Sequence, residues 1–279
     1  MKLATARLSL ASTTAVRLDG EEWVQLPYRD LGELLAWQLP WSEIAAMNGP
    51  RLPASALDVA PVVPAPDKIV CLGLNYASHI HEMGRPTPQY PTLFAKYRGA
   101  LIGARDRIVL PMVSREMDWE AELGIVIGKG GRHIPRERAL DSVAGYTVIN
   151  DVTARDWQHR TREFLSGKTF EATTPVGPWL VTPDELPPGA SGLPITCEVD
   201  GETVQKSTTS DLLFDVADIV SYLSQIITLL PGDLIATGTP GGVGAGRDPQ
   251  VFLRSGQVLT TRIDGIGELT NLCIDEDPA

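Results

Sequence analysis

The chain has 279 residues, of which 43% are hydrophobic, so it can bury a sizeable core and does not have the composition of a disordered segment. Its formal net charge of −11 argues against nucleic acid and anionic membranes as partners, because both attract basic surfaces. Its three cysteines are widely spaced and form no CxxC pair, which indicates reduced thiols and a cytoplasmic protein.

The first 58 residues are predicted to form a small N-terminal α/β domain. Asp19-Gly20 is typical of a hairpin turn between two strands. The apolar spacing from Asp30 to Met47 predicts a helix that is interrupted at Pro40. The N-terminal stretch lacks the uninterrupted apolar run of a signal peptide, so we expect none there.

Residues 59–67, VAPVVPAPD, hold three prolines and predict an extended linker before a larger domain at residues 68–279. That domain is mainly short strands separated by glycine and proline turns, with a second hairpin turn at Asp200-Gly201. The helices that we predict in it are Tyr76 to Met83, Ile134 to Val143, about Thr153 to Leu165, and Val216 to Leu230. The pattern therefore predicts an α+β fold rich in β-strands, with no membrane-spanning segment.

Acidic residues alternate along a predicted strand from Asp118 to Ile127, DWEAELGIVI. Because side chains alternate between the two faces of a strand, Asp118, Glu120 and Glu122 share one face, and the other face is uniformly apolar. Three like charges on one face repel each other unless water screens them or a cation neutralises them. The spacing alone favours neither a solvated strand face nor a metal site.

A further carboxylate, Asp151, lies where the next predicted strand ends. It fits an N-cap and also the third ligand of a metal ion. Oxygen ligands favour Mg²⁺, Mn²⁺ or Ca²⁺ over zinc, and the chain has no zinc-type Cys/His spacing. With Arg155 and Gln158, Asp151 shares one stripe of the predicted helix, which fits either a surface ion pair or a polar wall facing a substrate.

His79 and Glu82 lie three residues apart in a predicted short helix, where the carboxylate can orient and charge the imidazole. Such a pair fits a general base, although an isolated HxxE pair is more often a surface contact. Further along, TGTPGGVG matches neither a nucleotide P-loop nor GxGxxG. Its glycines would let backbone amides and Thr239 approach a ligand closely, and the alternative is a plain tight turn.

Seven segments resemble the fumarylacetoacetate hydrolase family and occur in the family's order. They are GLNYASHIHE, LFAKY, MDWEAELGIVIGK, GYTVINDVTARDWQ, SGKTFEATTPVGPWLVT, PGDLIATGTPGGVG and IDGIGELTN. They extend from roughly Lys68 to Leu272, so the resemblance covers the catalytic domain and not the N-terminal residues. It implies a mixed β-sandwich roll that is usually a homodimer.

The resemblance assigns three groups of site residues. The ligands of Mg²⁺ or Mn²⁺ would be Glu120, Glu122 and Asp151. The catalytic residues would be His79, Glu82 and Lys168. The substrate-binding residues would be Arg155, Gln158 and Thr239.

Two positions depart from the family pattern and leave the specificity open. The family often has Asp three residues after the lysine of SGKTF, where this chain has Glu171. After Lys96, many members carry Pro and Ser, where this chain reads Tyr-Arg-Gly-Ala. We expect both differences to affect substrate fit more than metal binding.

The resemblance implies a small 2-oxo acid substrate and a metal-stabilised enolate. Hydrolysis of a C–C bond in an acylpyruvate, such as acetylpyruvate or fumarylpyruvate, ranks first. Decarboxylation of an oxaloacetate-type acid ranks second, and isomerisation or hydration of a ring-cleavage product ranks third. The non-enzymatic alternative is a metal-binding module that has lost catalysis, which the presence of His79, Glu82 and Lys168 disfavours.

Overall fold

The computed structural model describes residues 1–9, 11–54, 57–82 and 86–277, without the side chains of His79, His81 and Glu82. In chain order, the strands are β1 (Lys2–Ser9), β2 (Ser12–Asp19), β3 (Glu22–Gln25), β4 (Arg51–Pro53), β5 (Ile69–Gly73), β6 (Thr92–Ala95), β7 (Leu101–Ile102), β8 (Ile108–Leu110), β9 (Met117–Asp118), β10 (Ala121–Ile127), β11 (Val143–Asn150), β12 (Thr153–Ala154), β13 (Thr174–Val181), β14 (Pro194–Val199), β15 (Glu202–Thr208), β16 (Leu234–Ala236), β17 (Val258–Ile263) and β18 (Gly267–Asp275). The helices are α1 (Leu31–Ala36), α2 (Trp41–Ala46), α3 (Ala77–Glu82), α4 (Arg136–Ala139), α5 (Arg155–Gln158), α6 (Leu165–Lys168) and α7 (Val216–Ile226).

The strands form two large sheets. Within the described chain, the first sheet has the order β4-β3-β2-β1-β13-β11-β10-β16-β5-β6, with β7 paired to β13. The second has the order β15-β14-β17-β18-β8, and β12 pairs with β9 separately. Most neighbours are antiparallel, but β5 with β16, β7 with β13 and β8 with β18 are parallel. The predicted β-rich α+β fold with a mixed sheet is therefore confirmed.

The two sheets share a core, which buries the strands that carry the predicted site. Leu123 and Ile125 of β10 belong to the same hydrophobic cluster as Leu259 of β17 and Leu269 of β18. Every residue of β10 and β11 is buried, on both faces. An acidic residue on β10 is consequently shielded from water, and the solvated strand face that the sequence allowed is absent there.

The N-terminal strands continue the main sheet. Strand β1 pairs with β13, with Lys2 opposite Val181, so β1 to β4 extend the sheet that contains β10 and β11. The predicted hairpin turn at Asp19-Gly20 is present, and Pro40 precedes α2 as expected. The assignment of residues 1–58 to a separate domain stays a prediction.

Two of the helices predicted in the larger domain are much shorter in the structure. The predicted helix from Thr153 to Leu165 is wrong, because Thr153 pairs with Asp118 between β12 and β9 and α5 has only four residues. The predicted helix from Ile134 is reduced to α4, and Val143 already belongs to β11. None of the helices in the described ranges is long and apolar enough to cross a membrane.

Asn75 connects three segments around the predicted site. Its side-chain amide donates to the carbonyl oxygens of Thr237 at 2.8 Å and Phe214 at 3.1 Å. Its side-chain oxygen accepts from the backbone amide of Phe214 at 2.8 Å, and the residue is fully buried. Asn75 thereby joins the chain between β5 and α3 to the loop after β16 and to the segment before α7.

We expect Asn75→Ala to lower the free energy of unfolding by about 2–4 kcal/mol, because it leaves buried backbone groups without partners. Chemical denaturation followed by circular dichroism measures this change. Asn48→Ala is the matched control, since Asn48 is exposed and we expect a change within about 0.5 kcal/mol. Equal effects of the two substitutions would contradict the connecting role of Asn75.

Candidate metal centre and active site

The register of β10 and β11 brings three carboxylates together. Ala121 lies opposite Asn150, so Glu120 and Glu122, on either side of Ala121, come close to Asp151, which follows Asn150. One carboxylate oxygen from each of the three acidic residues lies within 4.8 Å of the others, and all three residues are buried. The structure thus groups the three residues that were predicted to be metal ligands.

Hydrogen bonds hold the backbone of this group in place. The amide of Asp151 donates to the carbonyl oxygen of Glu120 at 2.8 Å. The side chain of Asn150 accepts from the amide of Glu120 at 2.9 Å and donates to the hydroxyl of Thr261 at 2.8 Å. Because Thr261 lies on β17, the second sheet supports the position of the carboxylates.

Two buried lysines neutralise part of this negative charge. Lys168 Nζ lies 2.7 Å from Glu120 Oε2 and 2.8 Å from Asp151 Oδ2. Lys96 Nζ lies 2.5 Å from Asp151 Oδ1. Although burial acts in the opposite direction, Lys168 and Lys96 lower the pKa of Asp151. Burial by itself would lower the pKa of Lys168, but the charges of Asp151 and Glu120 raise it. The ammonium group therefore stays charged.

Glu122 lacks a cationic partner within hydrogen-bonding distance among the described residues. Its Oε2 accepts from the amide of Gly238 at 2.8 Å, whereas its buried Oε1 has no hydrogen-bond partner in the described structure. Burial, followed by the charges of Asp151 and Glu120, raises the pKa of Glu122 well above its ordinary value. An unpaired buried carboxylate is costly, and an oxygen-binding divalent ion such as Mg²⁺ or Mn²⁺ fits this group of ligands.

Asp118 holds other parts of the site together. Its carboxylate accepts from the backbone amide of Gly244 at 2.6 Å and from Arg155 Nε at 2.8 Å. The same guanidinium lies 2.7 Å from Glu120 Oε1 and donates to Gln158 Oε1 at 2.9 Å. Asp118 therefore connects the glycine-rich loop to the wall around Glu120 and does not belong to the group of three.

A cavity of about 230 Å³ opens onto these residues. Its polar wall includes Glu120, Arg155, Gln158, Lys168 and Thr239. Its apolar wall includes Leu72, Leu74, Phe94, Phe164 and Val243. A cavity of this size suits a small acid, because one wall offers charge and hydrogen bonds while the other excludes water.

The predicted substrate-binding residues lie in the polar wall, but their hydrogen bonds limit what they can offer. Arg155 donates to Asp118 through Nε and to Gln158 through Nη1, whereas its Nη2 lies 2.7 Å from Glu120 Oε1 without a hydrogen bond in the described structure. Gln158 uses Oε1 to accept from Arg155, which leaves its Nε2 group as a donor. Thr239 Oγ1 donates to the carbonyl oxygen of Ala121 at 2.9 Å and accepts from Gln205 Nε2 at 2.9 Å. Direct substrate binding by these residues stays a prediction.

His79 and Glu82 belong to α3, but their side chains lie outside the described residues. The chain just before this helix lines the cavity through Leu72 and Leu74. Leu74 has a φ of 56°, a left-handed conformation that is unfavourable for leucine. The catalytic role of the pair stays a prediction.

Lys96 is the buried residue of the site to which the sequence analysis assigned no role. It follows β6 directly, and a lysine at the end of an apolar strand, LFAK, was the available signal.

The two positions that depart from the family pattern lie close to each other in the structure. A Cβ on Gly99 would lie 3.9 Å from the side chain of Glu171, which is exposed. The expected effect on substrate fit is therefore indirect, because the cavity lining that the structure describes includes neither Gly99 nor Glu171.

Comparison with known proteins assigns the chain to a family. The family model described as fumarylacetoacetate (FAA) hydrolase C-terminal matches residues 68–273. The chain belongs to the fumarylacetoacetate hydrolase family. Members of this family are enzymes, and the resemblance inferred from the seven segments is confirmed.

Similar proteins of this family have names that denote different reactions. The mitochondrial oxaloacetate tautomerase FAHD2A of Homo sapiens is 44% identical over 224 residues, which are 80% of this chain and 71% of that protein. The 5-carboxymethyl-2-hydroxymuconate delta-isomerase of Mycobacterium smegmatis has a TM-score of 0.82 at 32% identity, covering 100% of both chains. Maleylpyruvate hydrolase of Sphingobium sp. SYK-6, solved with manganese(II) and pyruvate, has a TM-score of 0.81 at 30% identity, covering 99% of this chain and 100% of that one. The cytoplasmic location of this chain stays a prediction.

Removing the charge of Glu122 should change how stability depends on metal and on pH. Without metal, the raised pKa of Glu122 contributes to the free energy of unfolding. This contribution is complete below the ordinary pKa of 4.5 and is lost as pH rises through the pKa of Glu122 in the folded protein. We therefore expect metal-stripped Glu122→Gln to gain stability over metal-stripped wild type as pH rises. We also expect Glu122→Gln to lose the stabilisation by Mg²⁺ or Mn²⁺, about 2.7 kcal/mol at roughly 100 times Kd for wild type.

Thermal unfolding of both proteins between pH 5 and 8, with and without metal, measures these two effects. Glu137→Gln removes a carboxylate from an exposed position of α4 and serves as the control. Parallel pH curves for wild type and Glu122→Gln, together with equal metal stabilisation, would show that Glu122 is not a ligand.

A methyl group on Gly238 should disturb the metal centre. Gly238 has a φ of 97°, and its Cβ would lie 2.9 Å from Asn75 Cβ, so Gly238→Ala must displace the amide that binds Glu122. We expect the substitution to weaken Mn²⁺ binding by about tenfold, the loss of one charge-assisted hydrogen bond. Gly192→Ala is the control, because Gly192 has a φ of 82° with open space around its Cβ. Equilibrium dialysis measures both affinities, and equal values for the two variants would contradict this role of Gly238.

Proposed function

We propose that this protein is a metal-dependent enzyme that catalyses keto–enol tautomerisation of oxaloacetate or a closely similar 2-oxo acid. The observation that carries the proposal is the buried group of Glu120, Glu122 and Asp151 beside Lys168 at the wall of a small cavity. The 44% identity to proteins named oxaloacetate tautomerases supports tautomerisation as the reaction. This proposal places tautomerisation ahead of the acylpyruvate hydrolysis that the sequence analysis ranked first.

The three carboxylates would hold the divalent ion, which supplies Lewis acidity toward a 2-oxo oxygen when it is bound. Lys168 provides fixed positive charge on the same wall. An ammonium group has three N–H donors, and two of them are directed to Glu120 and Asp151. The third is available to donate to a substrate oxygen, where it would stabilise developing negative charge.

Two further features of the cavity suit an enolate. Gln158 retains an N–H donor for a substrate carboxylate, because Arg155 fixes the orientation of its amide. The apolar wall, where Phe94 and Phe164 pack edge to face at 5.7 Å, keeps water from the reacting carbon. Electrostatic interactions are stronger in such a water-poor space than at the surface.

Tautomerisation needs only a proton transfer. A base removes a proton from C3, the C–H electron pair becomes the C2–C3 double bond, and the oxygen on C2 receives a proton. No atom is gained or lost, and the reverse reaction uses the same groups. His79, oriented by Glu82, is the predicted base, on the strength of the family resemblance.

Acylpyruvate hydrolysis is the second candidate. It is favoured by the similarity to maleylpyruvate hydrolase, a protein solved with manganese(II) and pyruvate. In that reaction water adds to the distal carbonyl carbon, and the bond from that carbon to C3 breaks. The electron pair leaves with a pyruvate enolate, which the same metal centre and Lys168 would stabilise.

One assay series distinguishes these reactions. Metal-stripped protein is reloaded with Mg²⁺ or Mn²⁺ and given enol-oxaloacetate, acetylpyruvate or fumarylpyruvate, while enol absorbance and pyruvate are recorded. We expect metal-dependent loss of the enol without pyruvate release. Pyruvate from oxaloacetate would instead indicate a decarboxylase, and pyruvate from an acylpyruvate a hydrolase.

We expect His79→Gln to lower kcat by about 10²–10⁴-fold, the usual contribution of a general base. His133→Gln changes an exposed histidine and is the matched control. Unchanged turnover in His79→Gln would rule out His79 as the base, whereas metal-independent turnover would contradict the metal centre as part of the reaction.

A further inference from the structure

Lys96 contacts Asp151 from outside the substrate cavity. Its side chain is 1% exposed, and its Nζ has two contacts, Asp151 Oδ1 at 2.5 Å and the carbonyl oxygen of Val152 at 3.5 Å. Among the residues that the structure describes, the cavity lining includes Lys168 but not Lys96. A buried ammonium group is costly, and this one does not face the space where a substrate would bind.

The two oxygens of Asp151 therefore have different surroundings. Oδ2 lies 2.8 Å from Lys168 Nζ, which also lies 2.7 Å from Glu120 Oε2, so Oδ2 is on the side shared with another ligand. Oδ1 is covered by Lys96, which makes no described contact with Glu120 or Glu122. Oδ2 thus lies on the side of Glu120, whereas Oδ1 faces Lys96.

The backbone around Lys96 keeps this contact in place. The amide of Lys96 donates to the carbonyl oxygen of Ile69 at 3.3 Å, and Ala95 lies opposite Val70 in the pairing of β6 with β5. The next amide, that of Tyr97, donates to the hydroxyl of Thr169 at 2.9 Å. Since the chain is held on both sides of Lys96, the backbone from which its side chain extends toward Asp151 is fixed at the sheet edge.

We propose that Lys96 is a positioning residue that restricts Asp151 to one ligand oxygen and so makes the site selective for Mg²⁺ and Mn²⁺ over Ca²⁺. Ca²⁺ takes six to eight oxygens and often binds both oxygens of a carboxylate, whereas Mg²⁺ requires near-octahedral geometry. A carboxylate with one oxygen covered suits the smaller ion. The inference rests on the metal dependence in the proposed function and adds the choice of metal.

The charge balance supports the same role. Three ligand carboxylates together carry more negative charge than one divalent ion neutralises. Lys96 offsets one of these charges from outside the cavity, whereas Lys168, which also contacts Glu120 and Asp151, lies at the cavity wall where a substrate would bind. The two lysines thus have different positions. Lys168 lies at the cavity wall, and Lys96 contacts Asp151 from outside the cavity.

The experiment measures Mg²⁺, Mn²⁺ and Ca²⁺ affinities of the metal-stripped full chain by isothermal titration calorimetry. In Lys96→Met, Asp151 Oδ1 becomes available, and we expect the ratio of Mg²⁺ to Ca²⁺ affinity to fall by about tenfold. Lys96→Gln keeps an N–H donor for Oδ1 without the charge, so its ratio should stay within about twofold of wild type. Lys68→Met is the matched control, because Lys68 pairs with the buried Asp233 at 3.0 Å and its ratio should not change.

An unchanged ratio in Lys96→Met would overturn the inference while leaving the proposed function intact. If circular dichroism shows that Lys96→Met does not fold, Lys96→Gln still tests the inference. A tenfold fall of the Mg²⁺ to Ca²⁺ affinity ratio in Lys96→Gln would contradict it, because charge and not coverage of Oδ1 would then set the selectivity. The affinity ratio could fall as expected in Lys96→Met while the wild-type protein transforms none of the tested 2-oxo acids. That result would support the role of Lys96 and contradict the proposed function. A wild-type chain that binds none of the three ions would overturn both.

Discussion

Repulsion among buried carboxylates is the constraint around which this structure is organised. The pairing of β10 with β11 places Glu120, Glu122 and Asp151 within a few ångströms of each other, and all three residues are buried. Like charges in such a place interact strongly, because the surroundings screen them poorly. The fold supplies two ammonium groups, one guanidinium and one backbone amide. The oxygen of Glu122 that has no partner in the described part of the chain indicates where a cation belongs.

The compensating groups come from segments that are far apart in the chain. Lys96 follows β6 at the edge of the main sheet, Lys168 ends α6, and Gly238 lies in the loop after β16. Each of them reaches the carboxylates only when the main sheet and its loops are complete. The site therefore depends on the whole fold, and conversely a metal ion bound there would stabilise the folded state by mass action. Function and stability are coupled through the same few ion pairs.

Local pattern singled out the acidic residues at β10 and β11, but the family resemblance, and not the spacing, assigned them to a metal ion. Alternation along DWEAELGIVI placed Glu120 and Glu122 on one face, and the strand end at Asn150 placed Asp151 beside them. The prediction from local pattern was wrong after Asp151. The spacing predicted one long helix from Thr153, but Thr153 instead pairs with Asp118 in a short pair of strands. Local pattern also gave no role to Lys96, because the position of this lysine at the end of an apolar strand does not reveal its contact with a residue 55 positions away.

The predicted metal ligands would not by themselves decide the reaction, since tautomerisation, hydrolysis and decarboxylation of 2-oxo acids all pass through an enolate that the same centre could stabilise. What differs is the handling of water and protons. Hydrolysis must admit a water molecule to the distal carbonyl, whereas tautomerisation must exclude it and return a proton. The deciding parts are therefore the apolar wall that includes Phe94 and Phe164, and α3, which carries the predicted base.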